Sequence, residues 1–127
     1  MTPVDAFDLP DWLGEGEVTW TSDDVTRSGF LVGGCLVGAD DRRHACDLLA
    51  VDQAYPAPVV DDRLRTAAHQ AWRHGQVLLL DRDGRTALAV PGTSFTADTV
   101  LDAVTRLAKA VGATPSSYSV RLRLGGS

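Results

Sequence analysis

A chain of 127 residues with 44% hydrophobic and 23% charged residues fits one globular domain and excludes a disordered chain. No apolar run approaches the roughly 20 residues of a bilayer-spanning helix, so no membrane partner is expected. A net charge of −5 argues against nucleic acid, whose phosphates want a clustered positive surface.

Residues 1–16 read as an irregular lead-in, broken by Pro3, Pro10, Gly14 and Gly16. Val4 to Phe7 or Pro10 to Leu13 can each form one helical turn. Glu17 to Thr21 alternates around Val18 and Trp20 as a strand, and Ser22-Asp23-Asp24 is turn chemistry. Phe30 to Val37 and His44 to Asp52 are apolar on both faces and read as central strands, joined through Asp40-Asp41-Arg42-Arg43. Gly33-Gly34 weakens the first of them unless a bulge or a close neighbour uses it.

A proline-containing connector, Tyr55 to Val60, leads to Asp61, whose carboxylate suits an N-cap. Leu64, Ala67, Ala68, Ala71 and Trp72 make an amphipathic stripe, and Gly75 ends the helix, predicted at 61–74. Gln76 to Leu80 and Thr86 to Val90 flank Asp83-Gly84, a strong hairpin signal. Thr96 caps a second helix at 97–111, with Val100, Leu101, Val104, Leu107, Ala108 and Val111 as its buried stripe. Tyr118, Val120, Leu122 and Leu124 alternate with Ser119, Arg121 and Arg123, a strand with one wet face.

The order β-β-β-α-β-β-α-β predicts a single α+β domain over 1–127, a two-layer sandwich of two helices packed on a mostly antiparallel sheet. That order, with a helical turn at the N-terminus, resembles the small acidic α+β chaperones of type III secretion and their non-secretory relatives.

Met1 to Leu13 carries Asp5, Asp8 and Asp11 and no Lys or Arg, the opposite of a signal peptide's positive start. The expected compartment is the cytoplasm, where the two cysteines stay reduced. Lys109 is the only lysine against eleven arginines, and Asp outnumbers Glu fifteen to two, a skew that suggests a GC-rich bacterial genome. Charge is divided unevenly. Residues 1–62 hold thirteen acids and three bases, and residues 63–127 hold four acids and nine bases. Such a chain could pair with a copy of itself, although both halves could equally interleave on one surface.

Several small constellations invite functional readings. Cys35 and Cys46 would face each other across a hairpin whose two-residue turn is Asp40-Asp41, as a redox pair or half a metal site, whereas a four-residue loop would separate them. Buried free cysteines more often act as small hydrophobes. His44 and Cys46 would share a strand face, with Asp47 pointing away, but an apolar setting opposes a thiolate. Arg65, His69 and Arg73 recur at every fourth residue and form a basic ridge that could bind an acidic partner, or simply a solvated helix face. Arg121 and Arg123 share one face of the last strand and could dock a partner there. The tail Arg121-Leu-Arg-Leu-Gly-Gly126 resembles the ubiquitin C-terminus in composition, but Ser127 follows it. No phosphate loop, nucleophile elbow, zinc-helix or EF-hand motif occurs, so no catalytic residue, metal or cofactor is assigned.

The expected function is a non-enzymatic protein-binding or chaperone-like module that forms a homodimer. The alternatives are a small-molecule binder or small enzyme with a pocket between helix and sheet, and an acidic inhibitor or immunity-type protein that covers a basic target.

Overall fold

Seven strands form from the apolar runs: β1 (Thr2–Pro3), β2 (Val18–Arg27), β3 (Leu31–Val37), β4 (Arg43–Ala50), β5 (Leu78–Arg82), β6 (Arg85–Val90) and β7 (Tyr118–Arg121). Two helices join them, α1 (Asp62–Arg73) and α2 (Ala97–Ala110). The computed structural model describes residues 1–27, 30–53 and 59–122, with the backbone alone at 23–27. All seven strands lie in one sheet, in the order β1-β5-β6-β4-β3-β2-β7.

The α+β class holds, but the sheet is mixed rather than mostly antiparallel. β4 runs parallel to β6, and β2 runs parallel to β7. A parallel neighbour needs a crossover connection. The chain supplies one between β6 and β7 through α2, which carries it from the middle of the sheet to its edge. The other lies between β4 and β6, with α1 and β5 on the way.

The two-layer expectation also gives way, because alternate residues feed two separate cores. Leu48, Leu79 and Leu88 pack with Val100, Val104 and Leu107 of α2. Their sequence neighbours Leu49, Leu80, Ala87 and Ala89 pack with Ala68 and Leu64 of α1. Successive strand residues point to opposite faces, so the helices sit on opposite sides of the sheet and the layers are helix, sheet, helix.

Both helices start and stop where local chemistry dictates. The Asp61 carboxylate accepts the Leu64 amide at 2.8 Å, and Thr96 Oγ1 accepts the Thr99 amide at 3.1 Å. Gly75 and Gly112 end them at φ of 77° and 80°, the left-handed region in which a Cβ is strained. In α2, Ala103 takes an inward place expected of Leu101, which is 48% exposed. Arg106 ties the helices together. Its guanidinium lies 3.6 Å from the Trp72 ring centroid, donates to the Trp72 and Gln76 carbonyls at 2.7 and 3.0 Å, and pairs with Asp102. The Trp72 carbonyl, in the last turn of α1, also accepts the Gly75 amide at 3.1 Å, so the guanidinium adds to a capped helix end.

The lead-in is more structured than its prolines suggest. Thr2 and Pro3 pair with β5, and Ala6–Asp8 and Asp11–Gly14 are 3₁₀ turns, the second matching the turn expected at 10–13. Leu9 and Leu13 from these turns enter the core beneath α2. The Tyr118 hydroxyl donates to the Leu13 carbonyl. Burial, then the nearby Cys46 thiol, pushes that phenol up to about 12.

Candidate functional site

α1 packs on the β5 and β6 part of its sheet face. On the other part, β7, β2, β3 and β4 bring a row of side chains to one surface. Arg121 pairs with Thr21, Thr21 with Cys35, and Cys35 with Ala45. The next row along carries Ser119 beside Thr19, whose hydroxyls lie 3.0 Å apart, and Thr19 beside Val37. Thr19, Thr21, Cys35, Val37 and Ala45 floor an open cleft of about 540 Å³, rimmed by Arg43, Arg85 and Arg121. Among the described residues, its lining contains no carboxylate and no histidine.

One buried ion cluster sets the edge of this cleft. The Asp47 side chain is 1% exposed on the same face. Arg85 grips it with two bonds, Nη2 to Oδ1 at 2.8 Å and Nε to Oδ2 at 3.0 Å. Arg82 Nη1 adds a third at 3.2 Å, and the Gly34 amide a fourth at 3.2 Å. Arg85 also donates to the Gly34 carbonyl at 3.3 Å. Sequence reading missed this cluster. The available signal was a lone aspartate inside the apolar run Ala45 to Ala50, with arginines on both sides of the Asp83-Gly84 turn. A buried acid needs such partners.

The two cysteines are not a facing pair. Cys35 lies across from Ala45, and Leu36 across from His44. The register follows from a three-residue loop, Ala39–Asp41, closed by a 2.9 Å bond from the Gly38 amide to the Arg42 carbonyl. Asp40 and Asp41 both take positive φ, 59° and 61°. Neither the two-residue nor the four-residue loop forms, and a one-residue slip turns a side chain to the other face. Cys35 therefore sits half-buried in the cleft, while Cys46 is fully buried in the α2 core. Burial pushes the Cys46 thiol far above the ordinary cysteine range, and the neighbouring Asp47 and Cys35 add to it against Arg85. His44 does share the Cys46 face as expected, but its Nε2 bonds the Thr86 hydroxyl at 2.7 Å.

The ridge on α1 does not join the cleft. Arg65 pairs with Asp62 at 2.8 Å, and His69 Nε2 meets Asp52 at 2.9 Å. Arg73 is exposed in the last turn, where a cation suits the helix dipole. Of the arginine pair on the last strand, Arg121 lines the cleft. Arg123 and the glycine tail lie outside the described residues. Among the described residues, no group of three or more His, Cys, Asp or Glu could hold a metal ion, and no helix is long and apolar enough to cross a membrane.

His44 and Asp52 make stability depend on pH on the acid side. Burial lowers the His44 pKa below its ordinary 6.5. The unfolded chain then binds a proton that the folded chain refuses, and stability falls as pH drops through about 6.5. Burial opposes ionisation of Asp52, but bonds from His69 and the Gly92 amide, with the charges of His69 and Arg65, outweigh it and hold the carboxyl below its ordinary range. Its contribution is present above the unfolded value near 3.8 and is lost as pH falls through the lower folded value. Urea midpoints should therefore decline from pH 7 to 5, and His44→Gln should flatten that decline. An unchanged slope in the variant would remove His44 as its source.

No family model, curated protein or solved structure matches the chain.

Proposed function

We propose that the protein is a non-enzymatic, chaperone-like protein-binding module of the bacterial cytoplasm. On this reading it self-associates, with the homodimer as its smallest assembly, and receives an acidic protein segment in the cleft. The observation that carries the reading is a half-open sheet face with Arg43 and Arg121 exposed at its rim and no carboxylate in its described lining. Guanidinium forks pair with carboxylates in bidentate geometry, and the Thr19 and Thr21 hydroxyls can serve a passing backbone. An open cleft suits a chain segment better than a small ligand, which is held by burying most of its surface.

A volume of about 540 Å³ also favours a second reading, an anionic small molecule in the same cleft. The exposed acids Asp5, Asp8, Asp11, Glu15 and Glu17 favour a third, an acidic inhibitor that covers a basic target. Sedimentation of the wild type over a range of protein and salt concentrations separates the first reading from these. Association should weaken with salt and should be lost in Arg43→Glu/Arg121→Glu, in which both altered side chains are exposed. A wild type that stays monomeric throughout, or a reversed variant that associates as before, would overturn it.

A further inference from the structure

We infer, on the reading just given, that the acidic segment entering the cleft is the Asp5–Asp8 turn of a second copy of this chain, with Phe7 as its anchor. Phe7 is 93% exposed, against 47% for Met1 and 48% for Leu101, the other exposed large apolar side chains among the described residues. An aromatic ring held fully in water is costly unless something covers it, and aromatic anchors carry most of the energy of small interfaces. The ring is also held in place. The Asp5 side chain caps the turn by accepting the Phe7 amide at 3.0 Å, and Leu9 just beyond is buried in the core. A preordered anchor loses little freedom on docking.

Charge completes the match. Asp5 and Asp8 flank the ring, and both are exposed. The first seventeen residues hold five acids and no Lys or Arg. Lys109 borders the hollow beneath Phe7 and offsets one of those charges. Opposite them stand Arg121 and Arg43, the latter held to Asp41 by an exposed 3.4 Å pair, with Val37, Ala45 and the threonine methyl groups to meet the ring. An arginine over an aromatic face adds a cation–π attraction.

The contact is between copies. The turn is fixed through Leu9 and Leu13 to the α2 side of the sheet, while the cleft opens on the α1 side. The knob of one protomer therefore seats in the cleft of the next. That interface is heterologous, and a pair leaves one knob and one cleft unused.

Mixing two variants tests this. Phe7→Asp removes the knob, and Arg43→Glu/Arg121→Glu removes the cleft. Each alone should lose about thirtyfold or more in self-affinity, the loss typical of an interface anchor. An equimolar mixture should form a one-to-one heterodimer and stop there, because each variant keeps the one surface that the other needs. The wild type should grow past the dimer as concentration rises. If the wild type associates but the mixture stays monomeric, or if Phe7→Asp associates like wild type, the knob is not the occupant, and the proposed function stands without it. If the wild type is monomeric at every concentration, both fall. Phe7→Ala, in which no charge is added, guards against a folding defect in Phe7→Asp.

Discussion

Asp47→Asn is expected to cost about 3–5 kcal/mol of folding stability, the range for removing one partner of a buried ion pair. A typical domain has only about 5–15 kcal/mol in total. The substitution keeps the shape of the side chain and changes its charge. Four donors now converge on two carboxylate oxygens from three strands: Gly34 on β3, Arg82 at the end of β5 and Arg85 at the start of β6. An amide presents one acceptor oxygen and turns an NH₂ group toward cations. Arg82 and Arg85 are 32% and 40% exposed, so water can solvate them in part, which places the loss nearer the lower figure. The urea midpoint should fall with an unchanged slope. Arg82→Gln, which removes a single 3.2 Å bond from a half-exposed side chain, should cost far less. Asp47→Asn within about 1 kcal/mol of wild type would mean that the cluster is open to water and contributes little.

What the sequence revealed of the fold was what local chemistry decides. Asp61 and Thr96 cap helices within a residue or two of the predicted bounds, because a cap and an amphipathic stripe are satisfied within a few turns of chain. Asp83-Gly84 makes the β5–β6 hairpin because both residues accept positive φ, 53° and 83°. The failures are non-local. β2 runs through the turn expected at Ser22-Asp23-Asp24, with Ser22 paired to Gly34 and Arg27 to Val32 of β3 on either side of a register shift that no local pattern announces. Parallel pairing of β2 with β7 joins residues a hundred positions apart, and no local pattern encodes it. The site was legible in pieces. Arg121 and Cys35 were both singled out, but on separate grounds, and only the register through Thr21 places them side by side. By pattern alone Arg43 belongs to the loop before His44, and Arg85 simply precedes the Thr86 to Val90 run. Their position at one cleft depends on strand order.

Gly34→Ala is expected to destabilise the protein by about 3 kcal/mol, at the upper end of what an added methyl costs in a packed core. A Cβ at this position would lie 2.3 Å from Trp20 Cζ2 and 2.7 Å from its Nε1, well inside van der Waals contact. The indole has no room to yield. Trp20 is completely buried, and its Nε1 donates to the Cys46 carbonyl at 2.8 Å, so moving the ring would break that bond and strand a buried donor. The glycine that weakens β3 as an isolated strand is thus the residue that lets β2 and β3 close over a tryptophan. Steric origin can be checked with Trp20→Phe, which removes the outer ring that the methyl would strike. Trp20→Phe alone should destabilise, through a cavity and a lost bond. Adding Gly34→Ala to it should then cost much less than in the wild type, a coupling that a double-mutant cycle reads directly. Additive losses would instead place the cost of alanine in the backbone of β3 rather than in the indole above it.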